Sequence, residues 1–159
     1  MPNSQATRKI INAMSRDNRV RLILHDICAL TKMGFAAVSR IDDGKWIAVQ
    51  VADQAGLGIV PGDEIPIETI ICNAIKETGR QVVIDHVAQD RQWRDHPAPA
   101  LYGFQSYVSF PIFRDNGKLF GTMCALDAEP RTVSGYETLA ILAAFAKQIE
   151  TILSELPDA

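Results

Sequence analysis

The 159-residue sequence predicts one α+β domain, an antiparallel sheet with helices toward both ends of the chain. Three observations carry that prediction. Two pairs of strand-like runs flank tight turns containing Asp43-Gly44 and Asn116-Gly117, and strands joined this tightly run antiparallel. Amphipathic stripes at helical spacing precede the first pair and follow the second. No crossover helix lies between the members of a pair, as a doubly wound parallel sheet would require.

The elements follow in order. Residues 1–17 are polar apart from Ile10, Ile11 and Met14 and form a flexible or helical extension, with the domain proper at residues 18–156. Ser15, Asp17 and Asn18 are all good N-caps for a helix whose apolar face is Val20, Ile23, Ile27 and Leu30, with Gly34 as its stop. The runs 35–41 and 46–51 are the first hairpin. Gly56, Gly58, Pro61, Gly62 and Pro66 make residues 52–66 a loop. A helix is expected from Ile67 to Thr78, with Ile67, Ile70, Ile71, Ala74 and Ile75 inward and Gly79 closing it. A brief strand, 82–84, ends at Asp85. Two prolines and mixed polarity leave residues 86–104 irregular. The second hairpin, 106–113 with 118–127, is expected to turn through a type I′ Asn-Gly pair. Ser134 is placed to cap a last helix, in which Leu139, Leu142, Ala146, Ile149, Leu153 and Leu156 keep a three-four alternation.

Composition narrows the function classes. A net charge of −3 without a basic stripe argues against nucleic acid as a partner. No apolar run approaches the roughly 18 residues of a membrane span, and the first residues do not resemble a signal peptide. Three cysteines, Cys28, Cys72 and Cys124, at wide spacing suit reduced thiols, so the protein is expected in the cytoplasm. They form no metal-ligand pattern with His25, His86 and His96, and no metal site is expected. Nucleophile-elbow and phosphate-loop patterns are both missing.

The run 106–112 (SYVSFPI), a turn, residues 118–127 (KLFGTMCALD) and a long amphipathic helix resemble the second half of a GAF domain. The stretch 66–87, PIETIICNAIKETGRQVVIDHV, is similar to the GAF segment in which a short helix leads to a strand ending in aspartate. The resemblance covers residues 18–156. It implies a sheet of five or six strands, terminal helices on one face, and a small-molecule pocket between the other face and the connecting segments. It does not choose the ligand, since GAF domains bind cyclic nucleotides, bilins, haem or small metabolites.

Residues 85–107 gather His86, Trp93, Arg94, Asp95, His96, Tyr102 and Tyr107, and aromatic rings with a few polar handles suit a small-molecule site. With the family's pocket position, the candidate ligand-binding residues are Cys72, Asp85, Trp93, His96, Tyr102, Tyr107 and Ser109. The competing reading is that Trp93 and the tyrosines cap the sheet edge. Phytochrome-like members carry a chromophore-attaching cysteine before a histidine, where this chain has Asp95-His96, so covalent bilin is not expected. Cys72 stays open as an unusual anchor. Cys72 also matches a cysteine position of GAF-type free methionine sulfoxide reductases, but the nucleophilic cysteine expected before residue 106 is absent, and no enzyme activity is expected. By spacing alone all three cysteines read as small core residues.

Ile141, Phe145 and Ile152 form a second apolar row on the last helix, and Leu22 and Leu24 lie off the main stripe of the first. One row suffices for the sheet, although a single broad core-facing stripe also fits. A homodimer is therefore expected, with candidate interface residues Leu139, Leu142, Phe145, Ile149 and Leu153. The overall expectation is a sensory domain that binds an unidentified small ligand and signals through its terminal helices. The alternatives are a dimerisation module without ligand and, third, the sulfoxide reductase.

Overall fold

The structure, a computed structural model, describes residues 5–156, apart from the side chain of Glu68. Six antiparallel strands run in the spatial order β3-β2-β1-β6-β5-β4, flanked by five helices. In chain order these are α1 (Gln5–Ser15), α2 (Asn18–Thr31), β1 (Phe35–Asp42), β2 (Lys45–Asp53), β3 (Glu64–Pro66), α3 (Cys72–Thr78), β4 (Val82–Ile84), α4 (Pro97–Tyr102), β5 (Ser106–Phe113), β6 (Leu119–Asp127) and α5 (Tyr136–Ser154).

Alternation along the strands splits the interior into two cores. Ala36, Val38, Ile47, Val108, Phe110, Ile112, Met123 and Ala125 face α1, α2 and α5. Phe35, Ala37, Trp46, Ala48, Tyr107 and Cys124 face the other way, toward α3, α4 and their connections. The terminal helices thus cover one face and the connecting segments the other.

Local chemistry explains most boundaries. Asp17 caps α2, its carboxylate accepting from the Arg19 and Val20 amides at 2.8 and 3.4 Å. The extension from Gln5 onward is helix α1, which buries Thr7, Ile10, Ile11 and Met14; residues 1–4 lie outside the described residues. Buried Gln50 ties α1 to the sheet by donating to the Met14 carbonyl at 2.6 Å, satisfying a helix-end acceptor. Asp43 and Gly44 both take positive φ, 50° and 72°, as a type I′ turn demands.

Several expectations are corrected. Helix α2 stops at Thr31 with Lys32 in the left-handed conformation, and Gly34 instead donates its amide to the Asp127 carboxylate at 2.8 Å. The 52–66 loop contains β3, which pairs with the start of β2 (Lys45 opposite Pro66, Trp46 opposite Ile65, Ile47 opposite Glu64). Pro66 is tolerated because β3 is an edge strand. The helix expected over 67–78 is broken: a 3₁₀ turn, Ile67–Thr69, ends at extended Ile70 before α3 begins at Cys72. Within the irregular segment, Pro97 to Tyr102 forms α4. At the second hairpin only Gly117 has positive φ, and its amide donates to the Arg114 carbonyl at 2.9 Å. That is a type I turn followed by a left-handed glycine, in place of the type I′ turn. Gly135 occupies the N-cap of α5 with no side-chain bond, because Ser134 donates its hydroxyl to Asp85.

Candidate functional site

A cavity of about 350 Å³ opens between the sheet and the segments that carry α3 and α4. The sheet contributes Phe35, Trp46, Tyr107, Cys124 and Leu126, and the crossing segments contribute Ile70, Ile71, Cys72, Ala98, Leu101, Tyr102 and Phe104. Leu57 and Ile59 from the β2–β3 connection and Ile65 from β3 complete it. Its volume is at the small end of the ~300–1,000 Å³ range of ligand pockets.

Local sequence sets this wall. Burial holds the His96 imidazole below its ordinary range, so Nδ1 accepts from the Ala98 amide at 3.0 Å and caps α4. Pro97 supplies the preset φ of the first helical position, and Gly103 closes the helix with φ 74°. On the other side, Cys72 opens α3 and points its sulfur at the sheet.

Around Cys72 the polar groups converge. Its Sγ lies 3.0 Å from the Tyr107 hydroxyl, 3.6 Å from Thr122 Oγ1 and 3.8 Å from Ser109 Oγ. Thr122 in turn bonds Ser39 at 2.7 Å. The neighbouring Cys124 thiol does most to pull Cys72 down, to about 6, against the opposing effect of burial; Tyr107, Thr122 and Ser109 add to it. The Cys72 thiol, together with burial, in turn pushes Cys124 well above the usual thiol range. Burial, then the nearby charge of Cys72, raises Tyr107 likewise. The pair therefore loses its two protons in well-separated steps.

These shifts give pH-dependent stability. The unfolded chain holds the Cys72 proton up to about pH 8.5, whereas the folded one releases it near 6. Stability from Cys72 should thus be fully present above about 8.5 and be lost as pH falls through 6. Cys124 and Tyr107 act in the opposite sense at alkaline pH, where the unfolded chain ionises and the folded one does not. Urea midpoints should therefore rise between about pH 6 and about 8.5, then fall, and Cys72→Ser should remove the rise. A midpoint constant over that lower range would refute the assignment.

The candidate binding residues divide by position. Cys72, Tyr102 and Tyr107 line the cavity, and buried Ser109 lies behind Cys72. The structure places Asp85, Trp93 and His96 away from the lining. Asp85 accepts from the Val133 and Ser134 amides at 2.8 and 3.0 Å and holds the chain entering α5. Trp93 is buried, its ring 5.5 Å from that of His96. Sequence reasoning missed Phe35, Trp46 and Cys124, which only the two-sided alternation of the strands could have assigned to this face, and Ile59 and Ile65, apolar residues in a Gly/Pro-rich loop.

Among the candidate interface residues, Leu142, Ile149 and Leu153 are buried in the domain's own core, while Leu139 and Phe145 are half-buried at its margin. Phe145 shares a shallow outer groove with Leu22, Ile23 and Ile152, edged by Arg19 and Asp26. Among the described residues no group of three His, Cys, Asp or Glu side chains is placed to hold a metal, and no helix is long and apolar enough to cross a membrane.

Comparison with known proteins gives a consistent family. The family model for the GAF domain matches residues 15–153. Among solved structures, the chromophore-binding domain of the Stigmatella aurantiaca bacteriophytochrome superposes with a TM-score of 0.69 at 15% identity, covering 98% of this chain and 62% of that one. The GAF domain of a two-component sensor histidine kinase from Bacillus halodurans gives 0.66 at 15% identity, over 88% of this chain and 94% of that one. A type II free methionine-R-sulfoxide reductase from Thermoplasma acidophilum gives 0.67 at 13% identity, over 94% and 98%. The chain thus spans about three-fifths of the bacteriophytochrome fragment and nearly all of the other two. No curated protein sequence matches significantly.

Proposed function

We propose, from the premise that this chain belongs to the GAF domain family, that it is a sensory module: a small ligand occupies the cavity, and the terminal helices, paired in a homodimer, carry the signal. The observation that supports this reading most is the cavity itself, about 350 Å³ of space left between the sheet and the segments that carry α3 and α4. Occupancy shifts the helices only if the ligand binds their two arrangements with different affinity. The sheet links them directly, because β1, β5 and β6 carry cavity residues on one face and helix-packing residues on the other. An empty dimerisation module is the alternative. The sulfoxide reductase ranks below it: residues 95–97 before β5 read Asp-His-Pro, without the nucleophilic cysteine.

The test is a fragment screen read by amide chemical shifts. Bound fragments should shift amides around Cys72, Tyr107 and Cys124 and also amides along α2 and α5. Tyr107→Ala should weaken those fragments by about 1 kcal/mol or more, the scale of an aromatic anchor. Gln92→Ala, exposed and outside the cavity lining, should leave their affinity unchanged. Fragments bound equally by both variants place the site elsewhere, and cavity binding that leaves α2 and α5 unmoved removes the signalling role.

A further inference from the structure

Resting on ligand binding in this cavity, we propose that its ligand is a neutral, largely apolar ring compound with one hydrogen-bond donor, carrying no carboxylate or phosphate.

The lining supplies the argument. Among the described residues no charged side chain borders the cavity. A carboxylate or phosphate placed there would give up its hydration with no cation to replace it, the costliest burial a small ligand can meet. The flat faces of Phe35, Trp46, Phe104 and Tyr107 favour a ring system, which they can contact edge-on or offset.

The mouth points the same way. Leu57 and Leu101 are 38% and 63% exposed, two of the few large apolar side chains left in water, and both belong to the cavity lining. Exposed apolar side chains at a cavity lining mark an interaction site for an apolar ligand, and neither of these carries charge.

The donor is inferred by accounting for hydroxyl protons. Thr69 has a single hydroxyl proton, donated to the Pro66 carbonyl at 2.7 Å. The 2.9 Å bond between Thr69 and Tyr102 must therefore be donated by Tyr102. The Tyr102 oxygen is left as an acceptor, which suits a ligand N–H or O–H.

Three matched bicyclic probes test the proposal in amide chemical-shift titrations at neutral pH: indole, benzofuran (the same shape without the N–H) and indole carboxylate. Indole should shift cavity amides and bind tightest. The carboxylate should bind about tenfold or more weaker, because its charge is desolvated without a partner. Benzofuran should fall between them, and Tyr102→Phe should erase the advantage of indole over benzofuran while leaving benzofuran unchanged. Carboxylate binding as tight as that of indole overturns the neutral class. Tyr102→Phe weakening both neutral probes equally, or neither, overturns the donor assignment. If none of the three shifts a cavity amide, ligand binding at the cavity fails, and this inference fails with it.

Discussion

Ile149→Glu is expected to leave no folded protein. Ile149 is 0% exposed and sits in the core between α5 and the sheet, with Leu142, Ala146 and Leu153 on the same face of the helix. A carboxylate there would be buried with no cation near it. That costs several kcal/mol, against a total stability of only about 5–15 kcal/mol for a domain of this size. Circular dichroism should show loss of helix and of cooperative melting. The informative comparison is Phe145→Glu, on the same helix but half-buried beside exposed Leu22 in the outer groove. Its carboxylate can reach water, so the fold should survive. If α2 and α5 pair between copies, scattering should show Phe145→Glu as a folded monomer. A folded Phe145→Glu dimer with wild-type affinity would put any dimer interface elsewhere, and a folded Ile149→Glu protein would refute the helix orientation.

Gly121→Ala is expected to be nearly as damaging, although it adds one methyl group. A Cβ at Gly121 would lie 1.7 Å from the Ser39 carbonyl oxygen, 2.6 Å from its carbon and 2.9 Å from the Arg40 Cα. All three are backbone atoms of β1, the strand hydrogen-bonded to β6, with Gly121 opposite Arg40. No side chain can rotate away to make room. Strands β1 and β6 are the two central strands, each held by another strand on its far side, so neither can move outward alone. Gly121 has no positive φ, which makes the requirement one of space rather than backbone freedom. The expected loss is above about 4 kcal/mol, at the extreme of single substitutions. Gly34→Ala is the control: its Cβ would meet the Ala55 Cβ at 3.1 Å and Asp127 Oδ1 at 3.4 Å, contacts that a small shift of a loop relieves. Denaturant melts of the two variants should differ by several kcal/mol; equal midpoints would mean the β1–β6 register is wrong.

The legible parts of the site were those whose signals are local. Tyr102 and Tyr107 stand out as aromatic residues in a polar, proline-broken segment, and Cys72 lies on a recognisable amphipathic stretch. Trp93, His96 and Asp85 carried the same kind of signal but hold α4 and the entry to α5 in place. Chemistry-bearing residue types mark where a chain is constrained, and a cap, a buried ring or a ligand contact can each impose that constraint. Cys124 gave no signal, since alternation along a strand shows that a residue points inward without saying toward which core.

By itself the sequence determined the two antiparallel hairpins, the helices before and after them, and the family, but not a simple meander: the tertiary structure sets β1 beside β6 and puts β3 and β4 at opposite edges. Asp43-Gly44, the Asp17 cap, the Gly79 stop and the leucine spacing of α5 act through contacts a few residues apart, and those are written in the order of the chain. Only the tertiary structure decided what depends on partners distant in sequence. Strand β3 exists because three residues find the edge of β2, and the helix over 67–78 breaks at Ile70 so that Ile67 and Cys72 can both reach the sheet. Ser134 does not cap α5: its hydroxyl donates to the Asp85 carboxylate, 49 residues earlier, and Gly135 takes the cap position. The thiol pair of Cys72 and Cys124, 52 positions apart, comes together the same way, since burial from two sides is a property of the packed sheet and not of either segment alone.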